Sequence, residues 1–396
     1  MLAISGIGQL VTNNELIDGG PLGIICNAAI VIDNGLVTWA GEGKFVADHC
    51  NVAPIDIAGR TVIPGFVDSH THLVFGGDRS HEFEERMAGR PYAAGGIHST
   101  VATTRAASDE VLARNVQRLA NEALGSGTTT LEVKSGYGLT VRDEVRSLVA
   151  ARTVTSDTTF LGAHVVPIGT TADEYVAQVC SDMLSACKIY SRWIDVFCDR
   201  GAFDVDQARQ ILGAGKAAGL GVRIHANQLQ QGGGVRLGVE MGAASCDHCS
   251  NVNDDDIEAL AGASKSTVAT LLPAAELCTR SVYPNARRFI DAGVTVAIAT
   301  DCNPGSSYTS SMPLVISLAV INMGMTSAEA LWSATAGGAA ALRRNDVGKL
   351  SVGKRADMVV LDAPSHSYIS YRPGVQQVAA VVREGKLVSG QWPVAN

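Results

Sequence analysis

Apolar and polar residues follow two different rhythms along this chain. Near both ends, short apolar runs are broken by turn formers. Ala28–Ile32 and Leu36–Ala40 flank Asp33-Asn34-Gly35, and Asn-Gly between apolar runs predicts a tight hairpin. Toward the other end, Ala356–Leu361 and Val378–Val382 read as strands, the second reaching Lys386-Leu387-Val388 through Arg383-Glu384-Gly385. These two β-rich ends, residues 1–61 and 348–396, are expected to pair into one small β-sandwich domain.

From 62 to 347 strand-like and helix-like stretches alternate. Strand candidates are Phe66–Leu73, Thr128–Lys134, Thr158–Val165, Trp193–Cys198, Gly221–Ala226, Ala243–Cys249, Thr267–Leu272 and Val294–Thr300. Leu112, Val116, Leu119 and Ala123 share one helical face, with Ser108 as N-cap and Gly125 just past the end. Val145, Leu148 and Val149 mark a second helix, and Ala208, Ile211 and Leu212 a third. Strands alternating with helices over about 285 residues predict an α/β fold, a (β/α)8 TIM-type barrel. A doubly wound open sheet is the alternative, and it explains less well why ligand-type residues end so many strands. The stretch from Val74 to about Ala107, with Gly76-Gly77-Asp78-Arg79, Tyr92 and Gly95-Gly96, exceeds an ordinary βα loop and is expected to cover an active site.

The chain has 396 residues, 46% of them hydrophobic, enough for a large buried core. A net charge of −8 argues against nucleic acid or an anionic membrane as partner. Nine scattered cysteines suit reduced thiols. The opening Met1-Leu-Ala-Ile-Ser5 has no basic stretch of the secretory kind, so a cytoplasmic protein is expected.

Candidate chemistry gathers at strand ends. Alternation places Asp68, His70 and His72 on one side of a strand, where two imidazoles offer neutral ligands to one cation. His225 supplies a third nitrogen, although alone it would be an ordinary core histidine. Asp301 ends a hydrophobic strand; its plain alternative is a turn residue before Cys302-Asn303-Pro304-Gly305. As a ligand it would leave a divalent ion with net charge near +1, the setting in which water ionises near neutral pH. His248 lies in Cys246-Asp-His-Cys249, within a strand and with no second C-x-x-C, so a redox or zinc-ribbon role is discounted. Near a metal, it suits acid/base work or oxyanion stabilisation. Gly232–Gly238 lacks dinucleotide spacing, and Gly41-Glu-Gly-Lys44 lacks the rest of a P-loop. Arg79 has the planar fork that suits a substrate carboxylate.

These residues together resemble the amidohydrolase superfamily, and within it the imidazolonepropionase family. The resemblance spans almost the whole chain. It rests on Pro64-Gly-Phe-Val-Asp-Ser-His-Thr-His72, Gly76-Gly-Asp-Arg79, Glu132-Val-Lys-Ser-Gly-Tyr-Gly-Leu139 and Gly162-Ala-His164. It continues through His225-Ala-Asn-Gln228, Asp247-His248, Ala299–Gly305 and Gly353–Asp362. It implies hydrolysis of 4-imidazolone-5-propanoate to N-formimidoyl-L-glutamate with one zinc or iron ion per chain. It implies metal ligands at His70, His72, His225 and Asp301, and substrate contacts at Arg79, Tyr137, His164, Gln228, Asn303, Gly305 and Ser306. Catalytic roles would fall to His248, Asp301 and Gln228. The alternative is another amidohydrolase, a cyclic-amide hydrolase or nucleobase-type deaminase, acting on a different small ring. The expected partner is a small molecule; a homodimer is compatible with the chain, but nothing in it sets the oligomeric state.

Overall fold

The computed structural model describes residues 1–90 and 96–393, so Tyr92 and Gly95 of the expected cover lie outside the described residues. The chain opens with β1 (Leu2–Val11), β2 (Ile24–Asp33), β3 (Leu36–Glu42), β4 (Ile55–Asp56) and β5 (Thr61–Pro64). Next come β6 (Phe66–Asp68), β7 (Thr128–Leu131), β8 (Val133–Lys134), β9 (Thr158–Ala163) and β10 (Trp193–Cys198). They are followed by β11 (Gly221–Val222), β12 (Ile224–Ala226), β13 (Ser245–His248), β14 (Val268–Leu271) and β15 (Val296–Ile298). The last strands are β16 (Met358–Leu361), β17 (Val378–Arg383) and β18 (Lys386–Gly390).

Two compact units result: 1–68 with 121–130 and 311–396, and 69–120 with 131–310. The first carries a sheet in the order β18-β17-β16-β5-β1-β2-β3, with β4 beside β1. Asn34 and Gly35 take the left-handed conformation (φ 50° and 79°) that the β2–β3 hairpin requires. β16 runs antiparallel to β5, Met358 opposite Pro64 and Leu361 opposite Thr61, so both ends of the chain enter one sheet. One face of that sheet encloses a core that includes Ile4, Leu10, Ile30, Val62, Met358 and Val382.

The second unit is built on a parallel sheet ordered β15-β14-β13-β12-β10-β9-β8, with β11 beside β10. Every residue of β9, β10 and β13 is buried, and of the three β10, Trp-Ile-Asp-Val-Phe-Cys, reads as a nearly unbroken apolar run. Each expected strand is present, most with a shorter span. The first stops at Asp68, and beyond it single backbone bonds replace a ladder. Lys134 N donates to Thr71 O at 2.9 Å, Asp301 N to His70 O at 3.1 Å and His72 N to Cys302 O at 3.0 Å. The His70–His72 stretch is thus tied on one side to β8 and on the other to the residues after β15.

The helix Asp109–Gly125 buries Leu112, Val116, Leu119 and Ala123, and Ser108 Oγ accepts from Val111 N at its start. The helix Val205–Ala217 buries Ala208, Ile211 and Leu212. In Val141–Ala151 the buried face is different from the expected one. Val149 is exposed, while Glu144, Ser147 and Leu148 face inward. The stretch from 74 to 107, longer than an ordinary βα loop, contains the helices Ser80–Met87 and Ile97–Ala106. The second buries threonines, which a hydropathy pattern counts as polar: Thr104 Oγ1 accepts from Gly76 N at 2.9 Å. Among the described residues no helix is long and apolar enough to cross a membrane.

Candidate metal centre and pocket

The candidate residues stand at or just beyond the carboxyl ends of the parallel strands. His70 and His72 follow β6, Tyr137 follows β8, and His164 follows β9. His225 lies in β12 with Gln228 just past it, His248 ends β13, and Asp301, Asn303, Gly305 and Ser306 follow β15. Backbone strain collects here: Asn227, His248, Cys249 and Asp301 all have φ between 51° and 74°. Each non-glycine residue in that region costs about 1–3 kcal/mol, so the surrounding packing must enforce these sharp turns.

Four side-chain atoms converge. His70 Nε2 is 3.2 Å from His72 Nε2, which is 3.4 Å from His225 Nε2. Asp301 Oδ1 is 3.5 Å from both His70 Nε2 and His72 Nε2. Ligands about 2.0–2.2 Å from a tetrahedral cation stand roughly 3.3–3.6 Å from one another, so the spacing fits. Protonation fits too. His70 Nδ1 lies 2.8 Å from Asp247 Oδ2, and His225 Nδ1 lies 3.1 Å from Asp195 Oδ2. A carboxylate only accepts, so each neutral imidazole carries its hydrogen on Nδ1 and turns a bare Nε2 lone pair inward. Burial pushes His70, His72 and His248 well below the ordinary histidine range and His164 down to about 3, which keeps them neutral. Lone pairs crowded together without a donor are what a cation-holding group presents. His248 belongs to a second group with His70 and Asp301, their ligand atoms within 4.8 Å of one another.

Behind the histidines lies a buried ionic layer whose roles the sequence did not disclose. Lys134 Nζ contacts Asp195 Oδ2 at 2.9 Å and Glu132 Oε1 at 3.0 Å, and Asp247 Oδ2 is 3.9 Å away. Arg223 donates to Asp247 Oδ2 at 3.2 Å and to Ser69 O at 2.7 Å. Burial raises the Asp195 carboxyl, but His225 and Lys134 outweigh it and leave the group below its usual range. For Asp247 burial is again overcome, here by Arg223 and Lys134. The signal available in the sequence was the charge itself, a carboxylate or lysine in the middle of an apolar strand.

A pocket opens beside the four converging atoms. Its lining includes His72, Arg79, Tyr137, His164, His225, Gln228, His248, Asp301, Asn303 and Ser306, with Ile97, Val165 and Phe197 as apolar walls. His70 and Gly305 are not on that surface. His164 stacks on His72 with ring centres 5.2 Å apart, and its Nδ1 meets Gly136 O at 3.1 Å. Arg79 is buried, pairs with Glu82, and packs so closely on Gly305 that a Cβ there would stand 2.2 Å from its Nη1. Asn303 is occupied within its own loop: Oδ1 accepts from the amides of Gly305 and Ser306, each at 2.8 Å. Ser306 Oγ in turn donates to Asp301 Oδ2 at 3.1 Å.

Comparison with known proteins identifies the family. Residues 61–388 match the amidohydrolase family. The chain is 60% identical to the imidazolonepropionase of Salinispora arenicola over 97% of its own length and 98% of that protein. It is 59% identical to the imidazolonepropionase of Mycolicibacterium smegmatis, covering 98% and 97%. Among solved structures, an adenosine deaminase from Xanthomonas campestris with bound zinc shares the fold, with TM-score 0.73, 19% identity and coverage of 100% and 94%. The chain belongs to the amidohydrolase family, in its imidazolonepropionase branch.

Proposed function

We propose that this protein hydrolyses 4-imidazolone-5-propanoate to N-formimidoyl-L-glutamate in histidine degradation. The observation that carries the proposal is one pocket lined both by three of the converging ligand residues and by a buried arginine. His70, His72 and His225, through Nε2, and Asp301, through Oδ1, would hold one zinc or iron ion. Such an ion supplies Lewis acidity and makes water nucleophilic near neutral pH. Arg79 offers parallel donors to the propanoate and so fixes the ring against the strand ends. Tyr137 and His164 wall the ring, and Gln228 hydrogen-bonds it without charge. The backbone amides of Gly305 and Ser306 are held by Asn303 beside Arg79. His248, neutral when buried, donates toward the oxyanion that develops on the ring carbonyl. Water oxygen joins the carbonyl carbon and the ring C–N bond breaks, leaving a new carboxylate. A proton passes to the departing nitrogen, and Asp301 and His248 are the lining groups able to carry it.

The same proposal takes 62–347 as a closed (β/α)8 barrel and 1–61 with 348–396 as a β-sandwich. The bonds that tie Thr71 to Lys134 and His72 to Cys302 support closure. It also takes the protein as cytoplasmic, acting on a small molecule without nucleic acid or membrane, as a homodimer. The test is to incubate metal-replete protein with freshly prepared imidazolonepropionate and follow the ring absorbance. Loss of that absorbance without ammonia release is expected. Ammonia release would indicate a deaminase, and no turnover would overturn the named activity.

A further inference from the structure

We infer that Lys134 is a positioning residue for metal capture, acting through Asp195 on His225 and, more distantly, through Asp247 on His70. The inference rests on the metal reading proposed above. Asp195 Oδ2 is shared between Lys134 Nζ at 2.9 Å and His225 Nδ1 at 3.1 Å. Its other oxygen, Oδ1, accepts from Val196 N at 2.8 Å. The carboxylate that orients His225 is therefore pinned by one backbone amide and one ammonium. Asp247 is held differently, with Arg223 at 3.2 Å and Lys134 only at 3.9 Å. Lys134 itself is oriented by Glu132, whose Oε1 also accepts from Thr159 Oγ1 and whose Oε2 accepts from Thr71 N at 3.2 Å. Thr71 lies between His70 and His72, so one ammonium braces the segment carrying two ligands and the carboxylate behind the third. Lys134, Glu132, Asp195 and Asp247 are all fully buried, so no water takes over any of these contacts cheaply.

Losing the ammonium leaves the Asp195 carboxylate free to rotate on its amide anchor, and the imidazole it orients turns with it. Groups behind metal-ligating histidines set ring orientation, and their loss typically weakens metal binding about 10–100-fold. Arg223 does not replace Lys134 in this role, because its guanidinium is engaged with Asp247 and Ser69 O on the His70 side.

The test uses full-length protein stripped of metal and measures the Zn²⁺ dissociation constant by competition with a chromophoric chelator. Thermal unfolding of each apo variant is recorded in parallel. Lys134→Met is expected to weaken zinc binding about 10–100-fold. Should that single variant not fold, the pair Lys134→Met with Glu132→Gln, which removes one charge of each sign, carries the same expectation. Lys134→Arg should recover part of the affinity. A folded Lys134→Met or paired variant that binds zinc as tightly as the unaltered protein, whatever its thermal stability, would overturn the inference. Failure of the unaltered protein itself to bind zinc stoichiometrically would instead overturn the metal reading beneath it.

Discussion

His70 and His225 each have a carboxylate within 3.1 Å of Nδ1, whereas Nδ1 of His248, like that of His72, is buried without such a partner among the described residues. His248→Asn should keep metal content near normal and lower kcat by about 10²–10⁴-fold; metal loss in elemental analysis would make His248 a ligand instead. At Gly305 the issue is space. An added Cβ would meet Arg79 Nη1 at 2.2 Å, so Gly305→Ala must push the guanidinium aside. A drop of roughly tenfold or more in kcat/KM, mostly through KM, is expected, since ~1.4 kcal/mol is tenfold. Unchanged KM would show that the guanidinium does not meet substrate. Glu276 provides a pH test. Burial raises its carboxyl from the usual 4.5 to about 7, one oxygen accepting from Ser250 Oγ at 2.6 Å. The folded state therefore binds a proton that the unfolded chain has released, and stability falls as pH rises from about 4.5 to 7. Glu276→Gln keeps the shape without the charge. It should match the parent at pH 4 and exceed it above pH 7, by up to about 3 kcal/mol at ~1.4 kcal/mol per pH unit. Urea melts of equally metal-loaded proteins would show this, and a constant difference across pH would refute it.

Among the elements, the helix Val141–Ala151 has a duty that its hydrophobic pattern did not reveal. Glu144 Oε1 accepts from Gly138 N at 2.8 Å and Leu139 N at 2.7 Å, clamping the turn that presents Tyr137. Leu139 has φ 53°, a strained position for a non-glycine residue, and the turn needs such a clamp. Periodicity treats Glu144 as a surface residue, which is why the expected face was rotated toward Val149. Glu144→Ala leaves both amides without that acceptor, each worth about 1–3 kcal/mol when buried. Lower stability together with a raised KM is expected, and a variant with unchanged urea midpoint and KM would dismiss the clamp. The threonine-faced helix Ile97–Ala106 escaped notice for a related reason. Thr100 and Thr104 are buried, but a hydropathy pattern scores them with the surface.

For the whole molecule, the expectation is one tightly held ion per chain. Lys134 is the one buried lysine among the described residues, and despite burial Asp195 and Glu132 hold it as an ammonium, so it is no bridging ligand for a second ion. Chelator treatment should abolish activity and lower Tm by a few degrees, because a ligand at 100 times its Kd stabilises by about 2.7 kcal/mol. Readdition should restore both at one ion per chain; two ions both required for turnover would refute this.

What the sequence determined by itself was local in nature. Alternation and apolar runs gave the strands, Asn34-Gly35 and Glu384-Gly385 gave the hairpin turns, and ligand-type residues stood out because they end apolar runs. The four candidate ligands could be named because each stands at a strand end, whereas Tyr137, Gln228, Asn303 and Ser306 could be named only through the family resemblance. Only tertiary structure decided which charges stand behind them. Glu132, Lys134, Asp195, Arg223 and Asp247 come from β8, β10, β13 and the short segments beside them, and they pair with one another only when the parallel sheet, in the order β13-β12-β10-β9-β8, brings these non-neighbouring strands together. A buried charge is tolerable only with its partner. In one dimension each of these residues is a charge without a partner, and only the strand order and register of the folded sheet supply one.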